Sequence, residues 1–480
     1  MSLGAPIDGP LVHAGGPEQI PARTWRLCLL ALFVLAFLVR LACFTGLVGS
    51  DDVWYATYAQ QIASGEYPSD SNQYTGRPGV FLPVALIYRL FGTSEASSVI
   101  VPLFASSASV GLVAAIGARL FGPLAGLIAG LLLCSSPIHI RHASILMPEP
   151  IMEFWIALGV WCYLRAASRG SRLLAAAAGV AIGVAYLTKE PAVFVVPALM
   201  AAAWIARRRD LAAAVALGAL AVAGVELAAY QLIYGDPLHR LVLARVAVPA
   251  NLYNRFEFNA QPWVAERLFK AYPRRMLLPN VSFGLHYIVG IVMGMVGFVY
   301  QKRSRLLLVL WAALPWAFLN FATTSLTQYL PSFPSDRYIS MTLPPLFILG
   351  AGALAVPSAW QRTLKGGLGV PLLGALMLVG LGCGLWTKGT GWNTAEIAGL
   401  RMVLRKAAER GERVCDHTVV DPHGDFRARL ADETWKATLR TLGPHLLQGP
   451  GEPGLVLERD ALGLPIAREG VCGTTSGGRS

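Results

Sequence analysis

Short stretches of this sequence place side chains able to do chemistry in otherwise apolar surroundings. Asp51 and Asp52 stand together in GSDDVWYATYAQQIASGEYP, and Arg77 stands in RPGVFLPVALIYRLFG. His139, Arg141, His142 and Glu149 fall within IHIRHASILMPEP, Lys189 and Glu190 within LTKEP, and Asp336, Arg337 and Tyr338 within SDRYISMTLPPL. A carboxylate can take the proton of an attacking hydroxyl. Lysine and arginine can neutralise an anion, and arginine can grip phosphate oxygens with a fork of two donors. Each residue also has a plain structural reading. Asp51 and Asp52 could cap a helix, and Glu149 could be a first-turn acid favoured by the helix dipole. Lys189 and Arg337 could reach toward an interface. His139 and His142 read as structural, and Tyr338 as an interfacial aromatic.

The elements that must position these groups are membrane helices. Hydrophobic residues make up 55% of the 480 and charged residues 14%, with a mean hydropathy of +0.52. A soluble domain carries roughly a quarter charged residues. The formal charge of +12 does not point to nucleic acid, because the basic residues sit in short clusters between apolar runs. Spans are expected at 25–47, 97–118, 122–138, 150–166, 172–188, 191–206, 211–234, 283–300, 305–323, 338–357 and 367–387, since about 20 apolar residues cross a bilayer. No strong internal repeat is visible, and the first run is too long for a signal h-region and lacks a clear cleavage site. Met1 to Thr24, rich in Gly and Pro, reads as a disordered cytoplasmic tail.

The segment 80–91 decides the topology. As a helix it is only about 18 Å long, against a hydrocarbon core of about 30 Å. Placed in the interface, it leaves Arg23, Arg26, Arg119, Arg165, Arg169, Arg172, Arg207 to Arg209, Lys302, Arg303, Arg305, Arg362 and Lys365 on one side. That side is the cytoplasm by the positive-inside rule. Counted as a span, it sends most of them outside. The long segment 235–282 lies outside in this scheme and carries basic residues of its own, and long loops obey the rule less strictly. Val53 to Ser64 reads as a second interfacial helix, with Tyr55, Tyr58, Ala59 and Ile62 on one face and Trp54 and the two tyrosines at headgroup level. Glu226 stands out as an acid within a span.

From Lys388 onward charges become frequent, as in RMVLRKAAERGERVCDHTVVDPHGDFRARLADETWK. This reads as a small extracytoplasmic domain, 388–480, mixing helix and strand and ending in a disordered GTTSGGRS. The seven cysteines form no CxxC pair, which argues against a zinc or redox motif. Cys415 and Cys472 are the two in the outer domain and are expected to pair, since an oxidising compartment permits it.

Taken in order, these motifs resemble those of the GT-C glycosyltransferases. An acidic pair after the first span, here Asp51-Asp52, is followed by an aromatic residue, here Tyr55. Arg77-Pro78 resembles the Arg/Lys-Pro-Pro that follows, with Gly79 in place of the second proline. MPEPIMEFW resembles the second acidic motif, with Glu149 where aspartate is common. GVAIGVAYLTKEP resembles the Gly-rich span ending in Leu-Thr-Lys, and SDRYISMTLPPL the late Arg-Tyr motif. The resemblance is to the protein O-mannosyltransferase and lipid A aminoarabinose transferase group. It runs through 25–210, is weaker over 330–350, and is nearly absent from the tail.

The resemblance implies an all-α polytopic bundle of about eleven transmembrane helices over 25–387, with two interfacial helices in the first outer loop. It implies transfer of a sugar from a polyprenyl phosphate to an extracytoplasmic glycan, lipid or protein, by inverting displacement at a multi-pass cell-membrane enzyme. Asp51 is then the candidate base, and Asp52 or Glu149 orients the acceptor or holds a metal. Arg77, Lys189 and Arg337 would bind the donor phosphate, and Tyr55 and Tyr338 would position substrate. No cofactor is required by the motifs, and no ligand spacing specifies a divalent cation. A transporter or flippase of lipid-linked glycans is the alternative, and it predicts polar residues within spans. A structural envelope subunit would need no acidic pair.

The topology is testable by cysteine labelling in intact cells. Single cysteines placed across 51–78 should react with an impermeant reagent and those at 207–209 should not. The reverse pattern would overturn the scheme.

Overall fold

The structure, a computed structural model, describes residues 21–68, 73–243, 267, 273, 284–300, 305–323, 335–354, 369–388, 394–418, 435, 438–443, 446–448, 453–459 and 465–471. The expected N-terminal tail to Ile20, most of 235–282 and the terminal GTTSGGRS lie outside these residues.

Helix α1 runs Ala22–Ala42, starting behind Pro21 and stopping short of the expected 47. Gly46 and Gly49 take φ of +79° and +72°, a region that other residues resist. The chain therefore leaves the helix and forms a loop before α2, Asp51–Ala63. A 3-10 turn at Gln73–Gly76 leads to α3, Pro78–Phe91. Helices α2 and α3 pack together through Val53, Tyr55, Tyr58, Phe81, Val84 and Tyr88. The two tyrosines expected at headgroup level are thus enclosed by protein, Tyr55 fully so. The facing helix offers a surface on which to bury their rings, which carry the largest apolar area available.

Helix α4, Glu95–Phe121, opens with a capping box between Ser94 and Ser97. Helices α5, Pro123–Ser135, and α6, Pro137–Ala143, follow with a 60° bend between them. Pro137 supplies no N–H and pushes Ser136 into an extended conformation, ψ 119°, which ends α5. The sequence expected as a loop around His139 and His142 is therefore a short buried helix. The chain continues as α7, Pro148–Arg169, and α8, Arg172–Thr188. A 3-10 turn at Glu190–Phe194 leads into α9, Val195–Ile205, and then α10, Arg209–Tyr234. Helices α11, His286–Tyr300, and α12, Arg305–Phe321, come next. A 3-10 turn at Asp336–Thr342 precedes α13, Leu343–Leu354, and α14 is Gly369–Trp386.

Each expected span contains a helix. Among the described residues, however, three helices (α1, α4 and α10) are long and apolar enough to cross a membrane alone, and the bent pair α5 and α6 adds a fourth. Helix α7 carries Glu149, Glu153, Arg165 and Arg169. The runs at 190–205 and 336–354 are each divided by a 3-10 turn.

One core joins α4, α5, α7, α8, α9 and α13 through residues such as Val113, Ile128, Ile156, Ile182, Leu199 and Phe347. Helices α8 and α10 cross with their backbones in contact. A Cβ on Gly179 would lie 2.0 Å from the Val215 carbonyl oxygen, and one on Gly218 would lie 2.1 Å from that of Ala176. Apolar solvent gives helices little drive to associate, so small residues that let backbones approach supply the contact. The basic clusters gather at one end: Arg119 donates to Ser168 and lies within electrostatic reach of Arg165 and Arg169, and Arg172 and Arg208 share Asp210. Glu95 and Glu149 begin the same helices, α4 and α7, at the other end.

The tail folds as helix and strand. Helix α15, Thr394–Arg410, packs against a four-stranded sheet of order β2-β1-β3-β4, comprising β1 Val414–Thr418, β2 Leu447–Gln448, β3 Pro453–Arg459 and β4 Pro465–Val471. Strand β1 runs parallel to β2 and β3, and β3 runs antiparallel to β4. Leu400, Leu404, Val414, Trp435, Leu439 and Leu457 form its core. Cys415 is disulfide-bonded. The other half of the expected pair, Cys472, lies outside the described residues.

The α8–α10 crossing makes a direct prediction. Gly218→Ala forces a methyl into a carbonyl and should cost about 1–3 kcal/mol, lowering the thermal midpoint of the solubilised protein. Gly224→Ala, on the same helix with nothing within 4 Å of the new methyl, should leave it unchanged or raised. Equal midpoints for the two variants would refute the close approach.

Candidate active site

The loop before α2 aims two carboxylates in different directions. Asp52 turns back on its own chain. Its oxygens accept from the backbone N–H of Val48 at 2.5 Å and of Ser50 at 2.6 Å, and the residue has no exposed surface. Asp51 points the other way. Its carboxylate accepts from the Tyr74 hydroxyl at 2.9 Å and pairs with Arg337 at 2.7 Å.

The proton affinities of the pair separate. Burial pushes the Asp51 carboxyl up, but Arg337, then Arg77 and the Tyr74 hydrogen bond, outweigh it and hold the group below the usual carboxylate range. Burial pushes Asp52 up to about 6, although the Val48 and Ser50 amides pull the other way. Like charge between neighbours, the expected source of a raised affinity, is a lesser contribution than burial at Asp52.

Glu149 stands at the start of α7, 1% exposed. Lys189, which caps the end of α8, donates to it, and Arg337 Nε lies 3.7 Å from the same oxygen. Among the described residues the other oxygen, Oε2, has no hydrogen-bond partner, and neither has the buried Nδ1 of nearby His142. Tyr338 lies beneath both cations, with Lys189 Nζ 4.1 Å and the Arg337 guanidinium 5.3 Å from its ring centre. Arg337 therefore joins Asp51 to Glu149, and the 3-10 turn that carries it is tied to α7 by Ser340, whose hydroxyl meets Glu153 at 2.6 Å.

Arg77 caps α3 and reaches the Tyr55 hydroxyl at 2.5 Å and Glu190 at 3.6 Å. Its neighbour Gly79 sits where a Cβ would meet Thr188 Oγ1 at 2.4 Å and Thr188 N at 2.8 Å. This is the position where the resembling motif has a second proline, and the close packing of α3 on the end of α8 accounts for glycine here. The contact brings Arg77 beside Lys189 and Glu190.

All of Asp51, Asp52, Tyr55, Arg77, Glu149, Lys189, Arg337 and Tyr338 thus meet in one region, with Asp52 committed to the loop itself. Sequence reasoning did not single out Tyr74, Arg240 or Glu153. Arg240 pairs with Glu190 at 3.3 Å and Glu226 at 2.5 Å, donates to the Gly76 carbonyl at 2.7 Å, and lies 4.4 Å from the Tyr186 ring centre. Glu226, an acid within an expected span, was the available signal for Arg240, since such a group requires a partner. Glu153 follows Glu149 at helical spacing, and its carboxylate lies 3.1 Å from His139 Nε2. That contact fits the structural reading of His139. Among the described residues no cluster of three or more His, Cys, Asp or Glu is arranged to hold a metal ion.

Residues 76–233 match the dolichyl-phosphate-mannose-protein mannosyltransferase family. A search of curated proteins finds no match. Among solved structures, the chain is similar to ArnT from Cupriavidus metallidurans bound to undecaprenyl phosphate, with TM-score 0.58 and 15% identity, over 91% of this chain and 93% of that one. It is also similar to the Archaeoglobus fulgidus oligosaccharyltransferase in its apo form, with TM-score 0.56 and 13% identity, over 87% of this chain and 64% of that one. A third is AglB from Archaeoglobus fulgidus in complex with an inhibitory peptide and a dolichol-phosphate, with TM-score 0.51 and 12% identity, over 93% and 74%. At such identities the likeness is one of fold. In that fold, and in the family match over 76–233, the chain is similar to GT-C glycosyltransferases of the protein mannosyltransferase and ArnT type.

Proposed function

We propose that this chain transfers a sugar from a polyprenyl phosphate to a hydroxyl-bearing acceptor on the extracytoplasmic face of a cell membrane, as a multi-pass protein of about eleven spans. The observation that carries this reading is the bridge of Arg337 between Asp51 and Glu149, with Lys189 and Arg77 beside it. A site that gathers three cations beside a candidate base suits a reaction whose leaving group is a phosphate. That two of the similar structures were solved with undecaprenyl phosphate and dolichol-phosphate is in keeping with this donor class.

The donor phosphate competes with Asp51 and Glu149 for Arg337. As Arg337 turns to the phosphate, Asp51 becomes free to accept a proton. The acceptor oxygen attacks the anomeric carbon from the face opposite the phosphate, and its proton passes to Asp51. The carbon–oxygen bond to phosphate breaks, the electron pair stays on polyprenyl phosphate, and the anomeric configuration inverts. Arg337, Arg77 and Lys189 stabilise the charge that develops there. Glu149 Oε2 and His142 Nδ1, buried and without hydrogen-bond partners among the described residues, would orient the acceptor, and they are the groups a divalent cation would meet first. Transport is less well served by this arrangement, because the intramembrane Glu226 is already paired with Arg240. Release of polyprenyl phosphate from a panel of lipid-linked sugars tests the reading, and no release from any of them would end it.

Asp51→Asn should keep expression and donor binding but lose about two to four orders of magnitude in single-turnover transfer at saturating donor. Near-normal transfer would remove Asp51 as base. Asp52→Asn should cost less in rate, and a greater loss there would exchange the two roles.

Arg77→Ala and Arg337→Ala should each weaken donor binding in folded protein. Unchanged donor affinity in both would return these residues to the interfacial reading.

Asp52 also sets a pH dependence of stability. Its folded value of about 6 lies above the unfolded one, so the native state holds the extra proton between the usual carboxylate value and about 6. The stability linked to Asp52 is present below that window and lost as pH rises through it. Thermal midpoints measured from pH 4.5 to 7 should fall less steeply in Asp52→Asn than in the parent. Parallel curves would show that Asp52 does not titrate there.

A further inference from the structure

The loop that presents Asp51 is gripped from outside the helical bundle. Glu95, the first residue of α4, accepts the Leu47 N–H at 2.9 Å. Arg401, from α15 of the C-terminal unit, donates to the Leu47 carbonyl at 3.0 Å and pairs with both oxygens of Glu95. Both peptide groups of Leu47 are thereby held by one ion pair. Gly46 lies flush against it, since a Cβ there would meet Glu95 Oε1 at 2.5 Å and Arg401 Nη2 at 3.5 Å, and its φ of +79° excludes most other residues. Beyond Leu47, the Val48 and Ser50 amides go to Asp52. Before it, Thr45 and Gly46 donate to the Ser144 carbonyl at 3.2 and 3.1 Å. The loop thus has three anchors, and one of them belongs to the C-terminal unit.

That unit also docks independently of the ion pair. Leu442 packs both into its own core and onto the α2–α3 layer. Gln60 of α2 donates to the Arg440 carbonyl at 3.2 Å. The Arg401–Glu95 pair is therefore not needed merely to hold the two parts together. Its side chains are 37% and 25% exposed, and an ion pair at that exposure adds little to stability. Its distinctive feature is the pair of bonds to Leu47.

We infer that Arg401 is a positioning residue for Asp51, through which the C-terminal unit sets the geometry of the catalytic loop by way of Glu95 and Leu47. The inference rests on the glycosyl-transfer reading for its catalytic consequence. Losing the grip lets 46–51 shift while the cations that meet the donor stay in place. A misplacement of about 1 Å costs on the order of 100-fold in rate.

The test uses the full chain in lipid nanodiscs, as parent, Arg401→Met, Arg401→Lys and Arg405→Met. Arg405 lies one turn further along α15 and pairs with exposed Glu409, so its variant is the control. Hydrogen exchange is followed over peptides covering 46–52 and 394–410, alongside single-turnover transfer and donor affinity, with the lipid-linked sugar on which the parent is active. Arg401→Met should exchange faster across 46–52 and slow transfer by about 10- to 100-fold, with donor affinity unchanged. Arg401→Lys should fall between, because one ammonium cannot hold Glu95 and Leu47 as a fork does. Arg405→Met should match the parent. If Arg401→Met fails to accumulate, Glu95→Gln carries the same measurements, since it weakens the ion pair but keeps an acceptor for Leu47. Unchanged exchange across 46–52, or transfer at the parental rate, overturns the inference. Faster exchange confined to 394–410 with normal transfer identifies a docking contact and overturns it equally. A parent that transfers no sugar sinks the glycosyl-transfer reading instead, and the exchange at 46–52 still decides whether Arg401 holds the loop.

Discussion

The arrangement depends on Arg337 standing between Asp51 and Glu149. Two buried carboxylates from separate segments repel one another unless a cation lies between them, and ions taken out of water must be paired closely or the desolvation is not offset. Arg337 meets this requirement from a distant part of the chain. Lys189 meets the same Glu149 oxygen as Arg337 does. A second chain of alternating charge runs from Arg77 through Glu190 and Arg240 to Glu226. The cations of this region are therefore already desolvated and already held by carboxylates.

Holding the charges in register places demands on the helices. Arg77, Glu190 and Lys189 come together because Gly79 lets α3 lie directly on the end of α8. Helix α8 is in turn seated on α10 through Gly179 and Gly218, and α10 carries Glu226. The 3-10 turns at 190–194 and 336–342 stand where straight helices would otherwise run on. They place Glu190 and Arg337 at the bundle's end. Irregular backbone at such depth is tolerated where it is enclosed by protein or lines a cavity.

The adjacent aspartates show how neighbouring residues of one type come to differ. Asp52 turns to two amides of its own loop and is raised in proton affinity by burial, whereas Asp51 turns to Arg337 and is lowered. One shapes the loop, and the other is left facing the cations. Nothing in the dipeptide itself distinguishes them.

The order and position of the helices were legible in the sequence, because an apolar run has few alternatives to a helix in lipid, where every backbone group must be bonded internally. Most of the acids and cations that gather in the candidate site were also legible, since a charge among apolar residues stands out, but Arg240 and Glu153 were not. The helix-and-strand character of the tail followed from its change of composition. Local chemistry that competes with a run of apolar residues was harder to read. The glycines that end α1 early, the proline that bends α5 into α6, and the burial of Tyr55 and Tyr58 each depend on what packs nearby. Partners were harder still. Arg240 gave no sign of meeting Glu226, nor Arg401 of meeting Glu95 and Leu47, because such pairs are set by the crossing of helices far apart in the chain. The sequence alone determined which charges this protein carries into an apolar setting and roughly at which helix ends. Only the tertiary structure decided which of them face one another, because pairing falls off within a few ångströms and a single turn of helix exchanges one partner for another.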